Sequence, residues 1–212
     1  MRIALIHALA QSVAPVEAAF AAGWPDAATF NLLDDSLSRD RAAEGRLTPG
    51  MVSRFISLAR YAAGTGAAGI LFTCSAFGPA IEAAAASVAP LPVLKPNEAM
   101  IEEAAAYRRI GIIASFAPTL DSIAPEFPPH IGLRAGLAEG ALAALAAGRP
   151  DEHDKLVAEA AARLAADGVD AIALAQFSLA RAAPRVAEAT GLPVLTTPAS
   201  AVEKLKRLVL GG

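Results

Sequence analysis

The chain nearly repeats itself, and that repeat restricts the fold more than any other property. Arg2-Ile3-Ala4-Leu5-Ile6 returns as Arg109-Ile110-Gly111-Ile112-Ile113, and Gly69-Ile70-Leu71-Phe72-Thr73-Cys74-Ser75 has a counterpart in Ala171-Ile172-Ala173-Leu174-Ala175-Gln176-Phe177. After each of these latter segments comes a helix-like run and then Leu91-Pro92-Val93-Leu94 or Leu192-Pro193-Val194-Leu195, so the order of elements agrees as well as the letters. Aligned with a one-residue gap before the final pair, the single cysteine, Cys74, takes the place that Gln176 takes in the second half. A site between two such halves is expected to be chemically lopsided.

Short apolar runs over residues 3–6, 29–33, 70–73 and 93–94 predict strands, separated by helices near 13–22, 49–63, 79–88 and 97–107. The second half predicts strands over 110–114, 131–134, 171–175 and 194–196, with helices near 118–124, 137–147, 151–166, 181–189 and 199–208. This alternation is the signature of an α/β fold with largely parallel sheets. The strands lack period-two alternation, so helices are expected on both sheet faces. The expected architecture is two pseudo-symmetric lobes, residues 1–97 and 98–197, each a mostly parallel sheet flanked by helices, with the site between them. A C-terminal helix over about 198–212 has the option of returning to the first lobe.

A hydrophobic content of 55% over 212 residues supplies ample core, and a net charge of −3 without a basic cluster gives nucleic-acid or anionic-membrane binding no electrostatic footing. The apolar stretch 141–147 is far shorter than the roughly 20 residues a bilayer span needs. Arg2 with the apolar run after it imitates a short signal sequence, but its return at Arg109 marks it as a strand, and a cytoplasmic location is expected. One cysteine forms no internal disulfide, so the thiol is either a small buried hydrophobe or a reagent.

Cys74 follows a predicted strand, and Gly78-Pro79 marks the next helix start. The loop Cys74-Ser75-Ala76-Phe77 is therefore expected to offer backbone N–H groups to a carboxylate, beside a thiol whose pKa the helix dipole lowers. Open α/β sheets bind ligands beyond the carboxyl ends of their strands, where this loop falls. His7 ends the first strand, and its near-neutral pKa suits proton shuttling.

Leu71-Phe72-Thr73-Cys74-Ser75-Ala76 resembles the first cysteine motif of the aspartate/glutamate/hydantoin racemase superfamily, which also contains arylmalonate decarboxylase and maleate isomerase. The resemblance extends over the whole chain in element order and pseudo-symmetry. It implies two lobes enclosing a small acid, a cysteine from each lobe on opposite faces of the reacting carbon, and neither metal nor organic cofactor. Cys74 is then one of the pair, whereas Gln176 stands at the second position. A carboxamide neither gives nor takes a proton at neutral pH, so Gln176 is expected to position substrate or stabilise an enediolate. The resemblance also carries carboxylate-binding hydroxyls to Ser115 and Thr119, with Ser12 aligned to Thr119 and Ser75 beside the thiol. Helix N-capping competes for these hydroxyls.

Lys95, after the fourth strand, is a candidate partner for a second substrate carboxylate or for the Cys74 thiolate. Asp34-Asp35-Ser36 reads as a cap on the following turn, with contact to a substrate ammonium as the alternative. Three motifs fail on context. Gly64-Thr65-Gly66-Ala67-Ala68-Gly69 leads into a strand instead of following one, Asp151-Glu152-His153-Asp154 sits at a helix start, and His130 has no partner at ligand spacing. No metal is expected.

The functional expectation is cofactor-independent proton transfer at the carbon next to a carboxylate, in a racemase or isomerase acting on a small acid or amino acid. A single-cysteine decarboxylase of a malonate-like acid and a non-catalytic small-acid-binding protein are the alternatives. Partners are a small carboxylate-bearing substrate and, as an option left open, further copies of the chain.

Overall fold

The computed structural model describes residues 1–211. The first half runs β1 (Arg2–His7), α1 (Val13–Gly23), β2 (Ala28–Leu33), α2 (Ser36–Glu44), α3 (Pro49–Gly64), β3 (Gly69–Phe72), α4 (Gly78–Ser87) and β4 (Val93–Leu94). The second runs α5 (Glu98–Ala104), β5 (Arg109–Ala114), α6 (Ala117–Ile123), β6 (Gly132–Leu137), α7 (Ala141–Ala146), α8 (Pro150–Ala166), β7 (Ala171–Leu174), α9 (Ala183–Thr190), β8 (Val194–Thr196) and α10 (Thr197–Leu210). Two compact units result, Met1–Pro96 with the stretch from Ala201 on, and Asn97–Ser200.

Each unit contains one four-stranded sheet, ordered β2-β1-β3-β4 in the first and β6-β5-β7-β8 in the second, and every pairing is parallel. Central strands β1 and β3 are buried on both faces apart from Arg2, and so are β5 and β7 apart from Arg109. That accounts for their unbroken apolar letters. In both sheets the chain order reverses between the two central strands, and the residues past their carboxyl ends lie at that switch point.

Packing fixes the loop after β3. Thr48 caps α3 by accepting from the Met51 N–H, Pro49 opens the helix, and Met51, Phe55, Ala59 and Ala62 recur at helical spacing on its buried face. Phe55 stacks on Phe72, at the end of β3, with centroids 5.3 Å apart, and lies 4.9 Å from Phe77. Cys74 is therefore bracketed by two anchored rings. In the second unit α8 presents Val157, Ala160, Ala161 and Leu164 to its sheet. Gly111 and Gly136 admit Leu164, since an added Cβ would lie 3.1 and 2.9 Å from its Cδ1. From Ala201 on, α10 packs on the first unit, and Gly69 leaves room for Leu205 and Val209.

Three expectations are corrected. Helix α2 was not expected, because Ser36–Glu44 buries only Leu37 and carries no apolar stripe; an ion-pair clamp described below holds it. The helix expected over 137–147 begins only at Ala141, since Leu137 ends β6 and Gly140 turns the chain at φ 77°. The helix expected over 97–107 is limited to Glu98–Ala104. Among the described residues no helix is long and apolar enough to cross a membrane.

Candidate active site

Strand register gives the two halves a common coordinate. Ile6 pairs with Phe72 in the first sheet, and Ile113 pairs with Leu174 in the second. One step further, Thr73 N–H donates to the Ile6 carbonyl at 3.0 Å and Ala175 N–H to the Ile113 carbonyl at 2.9 Å. His7 and Thr73 thus correspond to Ala114 and Ala175, and Ala8 and Cys74 correspond to Ser115 and Gln176. Cys74 and Gln176 also have the same local role: each is an extended residue opening a 3-10 turn, at φ −123°, ψ 109° and φ −141°, ψ 143°. Internal alignment of the letters reaches the same pairing.

The thiol is buried, with Cys74 9% exposed. Burial pushes its pKa up to about 11, against the opposing pull of the Ala76 N–H and the Ser38 hydroxyl. The lowered value expected from a helix dipole is corrected here. The residues after Cys74 form a 3-10 turn, Ser75–Phe77, and α4 starts only at Gly78, so desolvation outweighs the donors. At neutral pH the sulfur therefore carries its proton. Ser38, from α2, donates to the Ala8 carbonyl at 2.8 Å, and its hydroxyl also lies within hydrogen-bond reach of the sulfur, where donating its proton would favour the thiolate.

Helix α2 is held in place by charge. Asp34 accepts from Ser36 N–H at 3.3 Å and Ser36 Oγ at 2.7 Å, and Arg54 of α3 binds Asp34, Ser36 and Asp40. Burial tends to raise the Asp34 pKa, but the bonds from Arg54 and Ser36 outweigh it and hold the carboxyl below its usual range. Of the Asp34-Asp35-Ser36 cap expected here, Asp34 accepts from the Ser36 N–H, whereas Asp35, at the N-cap of α2, makes no side-chain capping bond.

Under the cysteine lies a polar chain. Asn31 Nδ2 donates to Glu17 at 2.7 Å, which turns Asn31 Oδ1 toward His7 Nε2 at 2.9 Å. A side-chain carbonyl oxygen only accepts, so Nε2 carries the ring proton. Burial lowers the His7 pKa despite the Asn31 bond and the Glu17 charge, so the ring is neutral and Nδ1 accepts from the Thr73 hydroxyl at 2.8 Å. Neither ring nitrogen of His7 is open. The near-neutral shuttle expected from its place at the strand end is corrected to a locked tautomer that ties β1 to Thr73, the residue before Cys74.

In the second unit, Ser115 N–H and Ser115 Oγ both donate to Gln176 Oε1, at 2.6 and 2.9 Å. A backbone N–H cannot accept, so the Gln176 oxygen must face it and Nε2 must point away. The Ser115 hydroxyl proton is engaged by Gln176, which leaves Ser115 an acceptor. Ser12 and Thr119, equivalent by the offset of β1 and β5, are both buried. Neither makes a side-chain hydrogen bond among the described residues, and Ser12 stands at the N-cap of α1 without capping it. Ser75 likewise has its hydroxyl unengaged. Helix capping therefore does not account for these hydroxyls.

Lys95 bonds Glu82 at 3.0 Å; the groups acting on the Cys74 sulfur are Ala76 and Ser38. His153 bonds Asp154, which also holds Arg181, so the acidic run at the start of α8 is an ion-pair cluster. No three metal-ligating side chains gather among the described residues. Sequence reasoning missed Ser38, Asn31 and Glu17. Thr73 was visible in the cysteine motif, but no pattern in the letters joins it to His7.

These features define a parallel α/β protein built twice, with a buried thiol at one switch point and a carboxamide at the other. The Asp/Glu/Hydantoin racemase family model matches residues 13–205, and the chain belongs to that family. No curated protein sequence matches it. Among solved structures, glutamate racemase from Francisella tularensis in complex with D-glutamate superposes with a TM-score of 0.75 at 13% identity, covering 99% of this chain and 81% of that one. Allantoin racemase from Klebsiella pneumoniae gives 0.71 at 19% identity over 100% and 89%. A variant of arylmalonate decarboxylase in a sulfate-associated form gives 0.67 at 22% identity over 100% and 94%.

Proposed function

We propose that this chain catalyses cofactor-independent proton transfer at the carbon next to the carboxylate of a small acid, with Cys74 as its only sulfur acid/base. The observation that carries this reading is the buried, protonated thiol at the β1/β3 switch point, in a chain that belongs to a racemase family. Such a thiol is suited to giving a proton to a carbanion. As the new C–H bond forms, the S–H bond breaks and the negative charge passes from the enediolate to the sulfur. Ala76 N–H is a donor that would stabilise the thiolate, and the Ser38 hydroxyl would join it by turning its one proton from the Ala8 carbonyl to the sulfur. Solvent then restores the proton.

Racemisation or isomerisation is the reading nearest to the family's name. It requires a base for the opposite face, and neither Gln176 nor the doubly bonded His7 supplies one, which leaves an activated water. One specific observation favours the second reading, decarboxylation followed by one-sided protonation: the thiol holds its proton at rest, as an acid must and a base must not. In that reaction the C–CO2 bond breaks, its electron pair enters the remaining carboxylate as an enediolate, and Cys74 protonates the carbon. In the unit that holds Cys74, Ser12 and Ser75 are the candidate donors for substrate oxygens and Lys95 is the candidate for a second carboxylate; Thr119 and the Gln176 Nε2 are the corresponding candidate donors of the other unit.

NMR in deuterated water, across hydroxy acids, amino acids and malonates, tests the proposal. Deuterium incorporation or CO2 loss that falls about a thousandfold or more in Cys74→Ala supports it. Turnover unchanged in Cys74→Ala would remove the thiol from the chemistry. Binding without turnover in either protein would leave a small-acid-binding protein. Product of one configuration marks decarboxylation with one-sided protonation, and scrambled configuration marks racemisation.

A further inference from the structure

The helix that follows the first edge strand is held differently in the two units. In the second unit α7, Ala141–Ala146, is apolar, buries Ala141 and Ala144 and packs along α8. In the first unit α2 is polar and buries Leu37 alone, too little apolar surface to offset the conformational entropy of nine ordered residues. What α2 lacks in burial is supplied by Arg54 of α3. Its guanidinium donates to Asp34, just before the helix, at 2.9 Å, to Asp40, a turn further on, at 2.5 Å, and to Ser36 at the helix start.

The helix so held reaches the thiol. Leu37 belongs to the same buried cluster as Ala8 and Cys74, and its neighbour Ser38 bonds the Ala8 carbonyl with its hydroxyl in reach of the sulfur. Arg54 is not among the groups that act on the sulfur, so its influence there passes through α2. At the offset that pairs Cys74 with Gln176, the buried Phe55, Ala59 and Ala62 of α3 correspond to Val157, Ala161 and Leu164 of α8. Arg54 then corresponds to Leu156, which packs on the second core. Among the described residues, the clamp occurs in the unit that carries an ionisable group, and the unit that carries a carboxamide has an apolar contact in its place.

We propose that Arg54 is a positioning residue for Cys74: by binding Asp34, Ser36 and Asp40 it keeps α2 over the sulfur, which excludes water from the thiol and holds the Ser38 hydroxyl in reach. The inference rests on the acid role proposed for Cys74, since a thiol that keeps its proton until a carbanion forms needs such a cover. Removing Arg54 has two opposed consequences. An uncovered sulfur is solvated by water and ionises more readily, whereas loss of the Ser38 hydroxyl makes it ionise less readily. Burial is the largest influence on this thiol and Ser38 the smallest, so the first consequence wins.

Titration of the thiolate by ultraviolet absorbance, after subtraction of the matching Cys74→Ala curve, tests this without a substrate. The midpoint, about 11 in the native protein, should fall toward 9.0 in Arg54→Ala by about one pH unit or more, and alkylation by iodoacetamide near neutral pH should quicken about tenfold or more. Arg54→Lys, which keeps the charge without the fork, should fall between the two. Arg39→Ala, which removes an exposed ion pair from the same helix, should titrate as the native protein does. A lower melting temperature with an unmoved midpoint would make Arg54 a stabilising residue only and overturn the proposal. A raised midpoint would overturn it too, because the guanidinium would then act on the sulfur by its charge. If Arg54→Ala fails to fold, Asp40→Asn, which leaves the bonds to Asp34 and Ser36 in place, should show the same change at smaller size, and an unmoved midpoint there overturns the proposal. The titration reads the hold on α2 and the exchange assay with Cys74→Ala reads the chemistry, so either idea can fail with the other standing.

Discussion

Past β7, Gln176 is held by the residue that follows β5, whereas past β3 the equivalent Cys74 is approached by a side chain from α2. The Ser115 hydroxyl and N–H grip the carboxamide directly. Ala8, at the matching position in the first unit, has no hydroxyl, and its carbonyl instead accepts from Ser38, whose hydroxyl is also within reach of the sulfur. One layer deeper the contrast reverses. His7 and Thr73 form a buried hydrogen bond under the cysteine, while Ala114 and Ala175 under the glutamine are buried methyl groups. The same backbone therefore supports a titratable group on a polar foundation in one unit and a fixed neutral group on an apolar one in the other. A sulfur whose charge changes needs donors able to respond to it; a carboxamide that never ionises needs only orientation.

The largest expected effect that could break this contrast is the loss of proton exchange in Cys74→Ala, about a thousandfold or more, read by NMR. If Gln176 instead proves essential and Cys74 dispensable, the roles of the two units are exchanged.

Next comes alkaline stability. The Cys74 pKa rises from 9.0 to about 11 on folding, so the folded state holds the proton more tightly than the unfolded chain. This stabilisation is complete below pH 9 and is lost as pH rises through about 11. Relative to Cys74→Ala, the native protein should lose an extra amount of about 2–3 kcal/mol across that window, measured by urea unfolding at each pH. Identical alkaline limbs would mean that the thiol is not desolvated.

A similar size is expected for Gln176→Leu, which removes the acceptor from Ser115 N–H and Oγ. Leaving those donors unmatched should cost about 1–3 kcal/mol, and Gln176→Glu, which keeps an oxygen there, should recover most of the loss. Calorimetric melting of both variants checks this.

The smallest effect concerns Ser38→Ala. Loss of its hydroxyl should leave about tenfold less thiolate at a given pH, seen in the ultraviolet absorbance of the lone cysteine after subtraction of the Cys74→Ala titration. Ser38→Thr should restore it. An unchanged titration in Ser38→Ala would make α2 a cover for the sulfur and nothing more.

Much of the fold was legible because its signals are local. Apolar runs such as Ile3-Ala4-Leu5-Ile6 and Ile110-Gly111-Ile112-Ile113 mark buried parallel strands whatever their partners, and repetition of those runs reveals the doubled plan. Cys74 and Gln176 were legible as counterparts for the same reason, since strand register preserves the offset of the letters. Helix α2 was not legible: Ser36–Glu44 has one buried side chain, and its place depends on Arg54, which arrives from another helix 18 residues beyond Ser36.

The sequence by itself determined the order of elements, the two parallel sheets and the presence of a lone thiol past β3, because periodicity and strand composition act over a few neighbouring residues. Only the tertiary structure decided the chemical state of those groups. Cys74 is a protonated thiol because the fold excludes water from it, His7 is a neutral tautomer because Asn31 and Thr73 take both its nitrogens, and Gln176 is a donor because Ser115, 61 residues away, fixes its oxygen. Protonation and hydrogen-bond polarity depend on which groups meet across the sheet, and no local pattern of letters encodes that meeting.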